Sequence, residues 1–180
     1  MRSIAQLSAA DDGPARVESV LSEMGVAFVA LPHLPGTHLD GAAMLRPDGV
    51  PLVALTVRRD QIDNFWFTLM HELAHVCQHL ENALPAILDD LEIGSSTRIE
   101  READRIAQDA LIPATLWERF NKGEFTSKAE VEELAALAGV SPAIVAGRWR
   151  MVNRNYQRFS KMLGHRTVRK QLRTWPQSAG

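Results

Sequence analysis

The sequence contains little of what secreted or membrane-spanning proteins need. Cys77 is its one cysteine, so no disulfide can form within the chain. No apolar run approaches the roughly 20 residues that a membrane-spanning helix requires. The first residues also lack the apolar stretch of a secretion signal. Together these absences predict a cytoplasmic protein.

Acidic residues are missing from the last part of the chain. The last acidic residue is Glu133, and the charged side chains after it are all lysines or arginines. A basic segment of this kind can contact DNA or an acidic partner protein, or it can lie against the acidic remainder of its own chain. We favour the intramolecular arrangement and keep DNA or an acidic protein as the alternative partner.

The residue pattern predicts an α+β protein: a helix, a small three-stranded sheet, and then helices to the end. The first helix should stop at Gly25, a residue typical of helix ends. Three strands are expected next, VAFVAL from Val26, HLDGAAML from His38 and VPLVALTV from Val50. The turn RPDG between the last two indicates a hairpin.

The stretch FTLMHELAHVCQHL, Phe67 to Leu80, places ionisable groups in an otherwise apolar helix. Wound at about 100° per residue, it gathers its polar residues in one sector and its apolar residues around the rest. Such a helix is buried, and a buried polar strip needs partners that offset the loss of water. A metal ion is one such partner. Cys77 lies outside the polar sector, so we expect it to be buried as a small hydrophobe.

This strip contains the pattern His-Glu-x-x-His in HELAH. His71 and His75 are one turn apart on one face, where both imidazoles can bind one zinc ion. Glu72 can then act as general base towards water. His79 lies two turns from His71, roughly 12 Å along the axis, too far to share its metal. The alternative is a pair of buried histidines hydrogen-bonded to the backbone.

A catalytic zinc needs a third protein ligand, and the stretch TRIEREADRIAQDALIP offers one. It reads as a helix capped by Ser96 or Thr97, with Glu100 and Asp104 together at the edge of its apolar stripe. We predict Glu100 as the third ligand and Asp104 as the carboxylate that orients His71. The alternative is a charged surface helix with pairs at i, i+4.

HELAH followed by EREADRIAQDALIP resembles the ImmA/IrrE family of zinc metallopeptidases. Upstream, LPGTHLDGAA and DNFWFTLMHELAH resemble the branch often fused to an Xre-type helix-turn-helix and found in toxin–antitoxin operons. The resemblance extends from about Gly25 to Arg173. It implies a zincin-like fold, with the sheet flanking the HExxH helix, and members that cut repressor or antitoxin proteins. It also implies the roles of five residues: His71, His75 and Glu100 as ligands of Zn²⁺ (or Mn²⁺), Glu72 as catalytic glutamate, and Asp104 outside the ligand shell.

The chain is expected to divide into a metallopeptidase core, 1–125, and a helical C-terminal segment, 126–180, packed on it as one unit. Within the second segment, KAEVEELAALAGVSPAIVAGRWR resembles a helix-turn-helix, with Ser127 and Glu130 forming a capping box. Arg148, Arg150 and other arginines could contact phosphates, but the second helix opens with apolar residues that cannot read bases. We therefore favour a packed helical pair. Any N-terminal DNA-binding domain would lie on a longer chain or a separate protein.

The sequence thus predicts a cytoplasmic zinc endopeptidase that cleaves a repressor or antitoxin in a bacterial regulatory circuit. The rival hypothesis is a non-proteolytic regulatory or antitoxin module that binds DNA or a toxin, with a structural or sensory metal site. Three further residues are candidates for oxyanion stabilisation or for lining the substrate pocket: Tyr156, His79 and His38.

Overall fold

The structure is a computed structural model that describes residues 1–33, 36–80, 86–90, 98–121 and 127–173. None of the helices in these ranges is long and apolar enough to cross a membrane. The helices are α1 (Arg2–Gln6), α2 (Gly13–Glu23), α3 (Ile62–Gln78), α4 (Arg98–Leu111), α5 (Ala114–Asn121), α6 (Lys128–Ala138) and α7 (Pro142–Val152). The strands are β1 (Ala27–Ala30), β2 (Leu39–Leu45), β3 (Pro51–Leu55) and β4 (Ala86–Asp90).

The strands form one mixed sheet in the order β1-β3-β2-β4. β3 pairs in parallel with β1 and antiparallel with β2, which in turn pairs antiparallel with β4. The α+β, zincin-like fold class is confirmed, and the three predicted strands are present. The structure adds a fourth strand, β4 (Ala86–Asp90), which the residue pattern did not predict. Its pairing with β2 is a contact between distant parts of the chain, and local sequence patterns do not encode such contacts.

One hydrophobic core joins the beginning and the end of the described chain. It contains Ile4 from α1, Trp66 from α3, Val131 from α6 and Leu172 near the C-terminus. The two segments predicted as 1–125 and 126–180 therefore share their buried side chains. The position of the boundary between them stays a prediction.

Helices α6 and α7 pack against each other and α7 packs against α3. The capping box is present: Ser127 Oγ accepts from the Glu130 backbone N–H, and the Glu130 carboxylate accepts from the Ser127 backbone N–H. In α7, the first-turn residues Ala143, Ile144 and Val145 are buried. A recognition helix needs those positions free to enter the major groove. The pair therefore has the packed arrangement that the apolar opening of α7 favours.

Several arginines of the basic C-terminal part make contacts within the protein, among them Arg148 and Arg150. The Arg148 guanidinium donates to the carbonyl oxygens of Gln108 and Ile112, at 3.2 and 3.0 Å, and its carbon lies 4.4 Å from the centre of the Trp117 ring. Burial lowers the pKa of Arg148 to about 10. Arg150 donates to the Tyr156 carbonyl oxygen. These contacts engage two of the arginines that were candidates for contacting phosphates.

One expectation about α3 needs correction, and one about α4 falls outside the described residues. Cys77 was expected to be buried, and this was wrong: it is exposed in the last turn of α3. The helical angle of a residue gives its face, whereas burial also needs a neighbouring element at that height of the helix. The caps expected for α4, Ser96 and Thr97, lie outside the described residues.

Candidate metal centre

Helix α3 carries the first part of the centre on its buried face. His71, Glu72 and His75 expose 3%, 0% and 0% of their surface. The i, i+4 spacing places the two imidazoles one turn apart and edge to face, with ring centres separated by 4.7 Å. Because α3 is hydrophobic around most of its circumference, it packs against the sheet and α4 and takes these polar groups into the interior.

Helix α4 brings a carboxylate to the two imidazoles. The Nε2 atoms of His71 and His75 are 3.0 Å apart. Glu100 Oε2 lies 3.1 Å from His71 Nε2 and 3.5 Å from His75 Nε2. Ligand atoms bound tetrahedrally to one zinc, with bonds of about 2.0–2.2 Å, are about 3.4 Å from one another. The three atoms therefore have a spacing that one zinc ion would fit.

The protonation state of His75 suits a ligand. Burial, with smaller contributions from the charges of His71 and His79, lowers the pKa of His75 to about 3. The imidazole is therefore neutral near pH 7 and keeps a lone pair available for a metal.

The second nitrogen of each imidazole also has a partner. Asp104 Oδ1 lies 2.9 Å from His71 Nδ1, and because a carboxylate only accepts, His71 carries its proton on Nδ1 and directs the Nε2 lone pair at the cluster. His79 Nδ1 lies 3.0 Å from His75 Nδ1, and His79 Nε2 lies 3.9 Å from Glu102 Oε2. The structure thus places His79 against His75, a contact that is consistent with their i, i+4 spacing but was not predicted.

Glu72 lies against strand β2. A Cβ atom added to Gly41 would be 2.3 Å from Glu72 Oε1 and 2.9 Å from Glu72 Cδ, so this carboxylate occupies space that only glycine leaves. Gly41 was not among the predicted site residues. The available signal was a glycine inside a predicted strand, which often marks a close approach of another group.

The remaining candidates contact other parts of the protein. His38 Nδ1 lies 3.2 Å from an Arg58 nitrogen, and Arg58 pairs with Asp40 at 2.9 and 3.1 Å. Tyr156 is 63% exposed, and the Arg150 guanidinium carbon lies 5.8 Å from its ring centre. Roles for His38 and Tyr156 in oxyanion stabilisation or substrate binding stay predictions.

The donor set and the family comparison agree. Two imidazole nitrogens and one carboxylate oxygen are a set that catalytic zinc sites use, with the fourth position left for water or substrate. The comparison with curated proteins gave no match. A family model described as Peptidase_M78, IrrE N-terminal-like domain, matches residues 40–150, more than half of the chain, so the protein belongs to this family of metallopeptidases, as its resemblance to ImmA/IrrE predicted.

Proposed function

We propose that the protein is a zinc-dependent endopeptidase in which His71, His75 and Glu100 hold the metal. The convergence of their three ligand atoms within 3.0–3.5 Å on two buried helix faces carries this proposal. Nitrogen-rich sites of this kind suit zinc better than manganese, which prefers oxygen ligands. Mn²⁺ is therefore the alternative metal.

Glu72 is the proposed general base and acid. Bound zinc would polarise the scissile carbonyl group and lower the pKa of water towards neutrality. Glu72 accepts the proton of the attacking water and then donates it to the leaving amine nitrogen. Asp104 holds the His71 ring in one orientation, and His79 does the same for His75.

We propose that the substrate binds as an extended strand along an edge of the sheet. In the sheet formed by the described residues, β4 is an edge strand, and it lies along the chain between α3 and α4, which carry the ligands. Main-chain hydrogen bonds to such an edge hold a peptide whatever its side chains are. The proposed substrate class, a bacterial repressor or antitoxin, is supported by the sequence resemblance alone.

The decisive experiment compares zinc content and cleavage in matched variants. His71→Ala and Glu100→Ala should lose zinc, measured by elemental analysis of the purified protein. Glu72→Gln should retain zinc and cleave a repressor or antitoxin encoded in a neighbouring operon at least about 100-fold more slowly. Glu118→Gln, at an exposed position of α5, controls for the loss of an acidic group. Wild-type cleavage by zinc-loaded Glu72→Gln would contradict the mechanism.

The rival function, a DNA-binding regulatory module, rests on exposed basic residues such as Arg154, Arg166 and Lys170. It predicts a salt-sensitive mobility shift with DNA that Arg154→Gln weakens. Such a shift, together with zinc that is bound but supports no proteolysis, would favour this module over the endopeptidase.

A further inference from the structure

A cavity of about 550 Å³ lies between α3, α4 and α7. Asp63 and Phe67 of α3, Gln108 of α4 and Arg150 of α7 are among the residues that line it. The proposed metal ligands do not line it, so it is separate from the metal centre. Its volume is within the range of about 300–1,000 Å³ that is typical of sites for small organic molecules.

The walls of the cavity combine apolar surface with an excess of positive charge. Leu111, Ile112, Ile144 and Met151 contribute apolar side chains. The charged lining residues are three arginines and one aspartate: Arg59, Arg148, Arg150 and Asp63.

Two of these arginines have hydrogen-bonding capacity left over. The Nε atoms of Arg148 and Arg150 are buried and, within the part of the chain that the structure describes, make no hydrogen bond. A buried donor without an acceptor is costly. These Nε atoms have no surface open to the cavity, so a bound anion would interact with the guanidinium charges, and charge-assisted contacts to arginine are among the stronger polar interactions.

We propose that this cavity binds a small amphipathic organic anion, with an apolar ring system against the aliphatic wall and a carboxylate, sulfonate or phosphate group at the arginines. The volume accommodates a whole small molecule, and the charge excess selects anions over neutral ligands of the same shape. The negative charge of Asp63 repels a bound anion and therefore lowers its affinity.

The cavity adjoins the metal centre through two side chains. The Phe67 ring lines the cavity and its centre lies 6.2 Å from that of the His71 ring. Gln108 is one helical turn beyond Asp104, which contacts His71. A bound anion therefore sits one turn away from the groups that position His71. Control of cleavage by the anion would rest on the proposed endopeptidase function, whereas binding itself does not.

The test uses two dyes that share one aromatic framework. Zinc-loaded full-length protein is titrated with 8-anilinonaphthalene-1-sulfonate, an anion, and with N-phenyl-1-naphthylamine, its uncharged counterpart, and fluorescence reports binding. We expect saturable one-to-one binding of the anion, at least about tenfold tighter than that of the neutral dye.

Three variants change charge at defined places. Arg150→Gln removes one lining cation and should weaken binding of the anionic dye about tenfold. Asp63→Asn removes the lining anion and should tighten it. Arg154→Gln removes an exposed cation outside the lining and should leave it unchanged. Far-UV circular dichroism verifies that each variant is folded.

Several outcomes would overturn the proposal. Equal affinity for the two dyes would show that the arginines do not select anions. Weakening by Arg154→Gln as large as that by Arg150→Gln would indicate general surface charge. If Arg150→Gln does not fold, the effect of Asp63→Asn and the difference in affinity between the two dyes still test the proposal. Competition between the anionic dye and a substrate peptide would show that the cavity belongs to the substrate-binding site. Because dye binding requires no proteolysis, loss of the endopeptidase proposal would leave these results unaffected.

Discussion

At the scale of single residues, the position of the Glu72 carboxylate depends on the absence of a side chain at the facing residue, Gly41. A Cβ atom added to Gly41 of β2 would lie 2.3 Å from Glu72 Oε1. The Glu72 side chain is fully buried, so it has little room to move aside without displacing other groups. Gly41 therefore fixes where the proposed general base can lie.

Gly41→Ala should displace the Glu72 carboxylate while leaving the metal ligands in place. We expect zinc content to be retained and kcat to fall about 100-fold, the size of effect that a misplacement of about 1 Å can have. Elemental analysis and cleavage kinetics measure the two quantities. Gly49→Ala, in the β2–β3 turn, is the control: its Cβ would meet nothing within 4 Å, but its φ of +81° strains alanine, so it should lower stability and leave kcat unchanged. An unchanged kcat in Gly41→Ala would contradict the assigned role of Glu72.

Asp104 tests whether the partner of His71 strengthens metal binding. Asp104→Asn weakens the acceptor at 2.9 Å from His71 Nδ1, so zinc affinity should fall about 10- to 100-fold with the fold intact. Competition with a chelator measures the affinity. Asp109→Asn removes a charge from the same helix and keeps an oxygen that can accept from the Ala114 backbone N–H, so it should bind zinc normally. Equal affinities in the two variants would show that the Asp104 contact is only structural.

At the scale of elements, two neighbouring helices each carry part of the centre and neither is sufficient. α3 supplies His71 and His75, and α4 supplies Glu100. Small buried residues, Ala103 and Ala107, lie on the inner face of α4 and allow it to pack closely. The geometry of the centre is thus a property of how the two helices pack.

The capping box of α6 gives a prediction that separates stability from the metal centre. Ser127→Ala removes the hydroxyl that accepts from the Glu130 backbone N–H and should lower the free energy of unfolding by about 1 kcal/mol. Urea denaturation measures the change, and zinc content should stay at the wild-type level. Lys128→Ala, the next position, breaks an exposed ion pair with Glu132 and should cost less than about 0.5 kcal/mol. Loss of zinc in Ser127→Ala would mean that α6 supports the centre directly.

At the scale of the whole molecule, Asp63 makes stability depend on pH where α3 meets α7. Burial raises the pKa of Asp63 to about 6, against the lowering effects of the Asn64 backbone N–H and of the charges of Arg150 and His165. Between its ordinary value of 3.8 and about 6, the folded protein holds a proton that the unfolded chain has released. Asp63 therefore destabilises the fold increasingly as pH rises through this window, by up to about 3 kcal/mol.

Asp63→Asn should remove this dependence. We expect the variant to be more stable than the wild type by about 1–3 kcal/mol at pH 8, with an advantage that is lost as pH falls to 4. Denaturant unfolding at several pH values gives the difference. Asp11→Asn removes the same charge at an exposed turn and serves as the control. If the stability difference between Asp63→Asn and the wild type did not depend on pH, the pKa of Asp63 would not be raised in the folded protein.

Features that depend on residues close together in the chain could be predicted from the sequence alone. Helical spacing brought His71 and His75 to one face of α3, and likewise Glu100 and Asp104 to one face of α4. The hairpin turn and the caps of α6 and α7 also follow from neighbouring residues.

What lies opposite those faces follows from tertiary packing. It added β4 to the sheet, placed Gly41 beneath Glu72, left Cys77 exposed and formed the cavity between α3, α4 and α7. The physical reason is that the periodicity of a helix or strand fixes the direction of a side chain relative to its own axis. Which distant element meets that side chain, and how closely, depends on the packing of the whole chain.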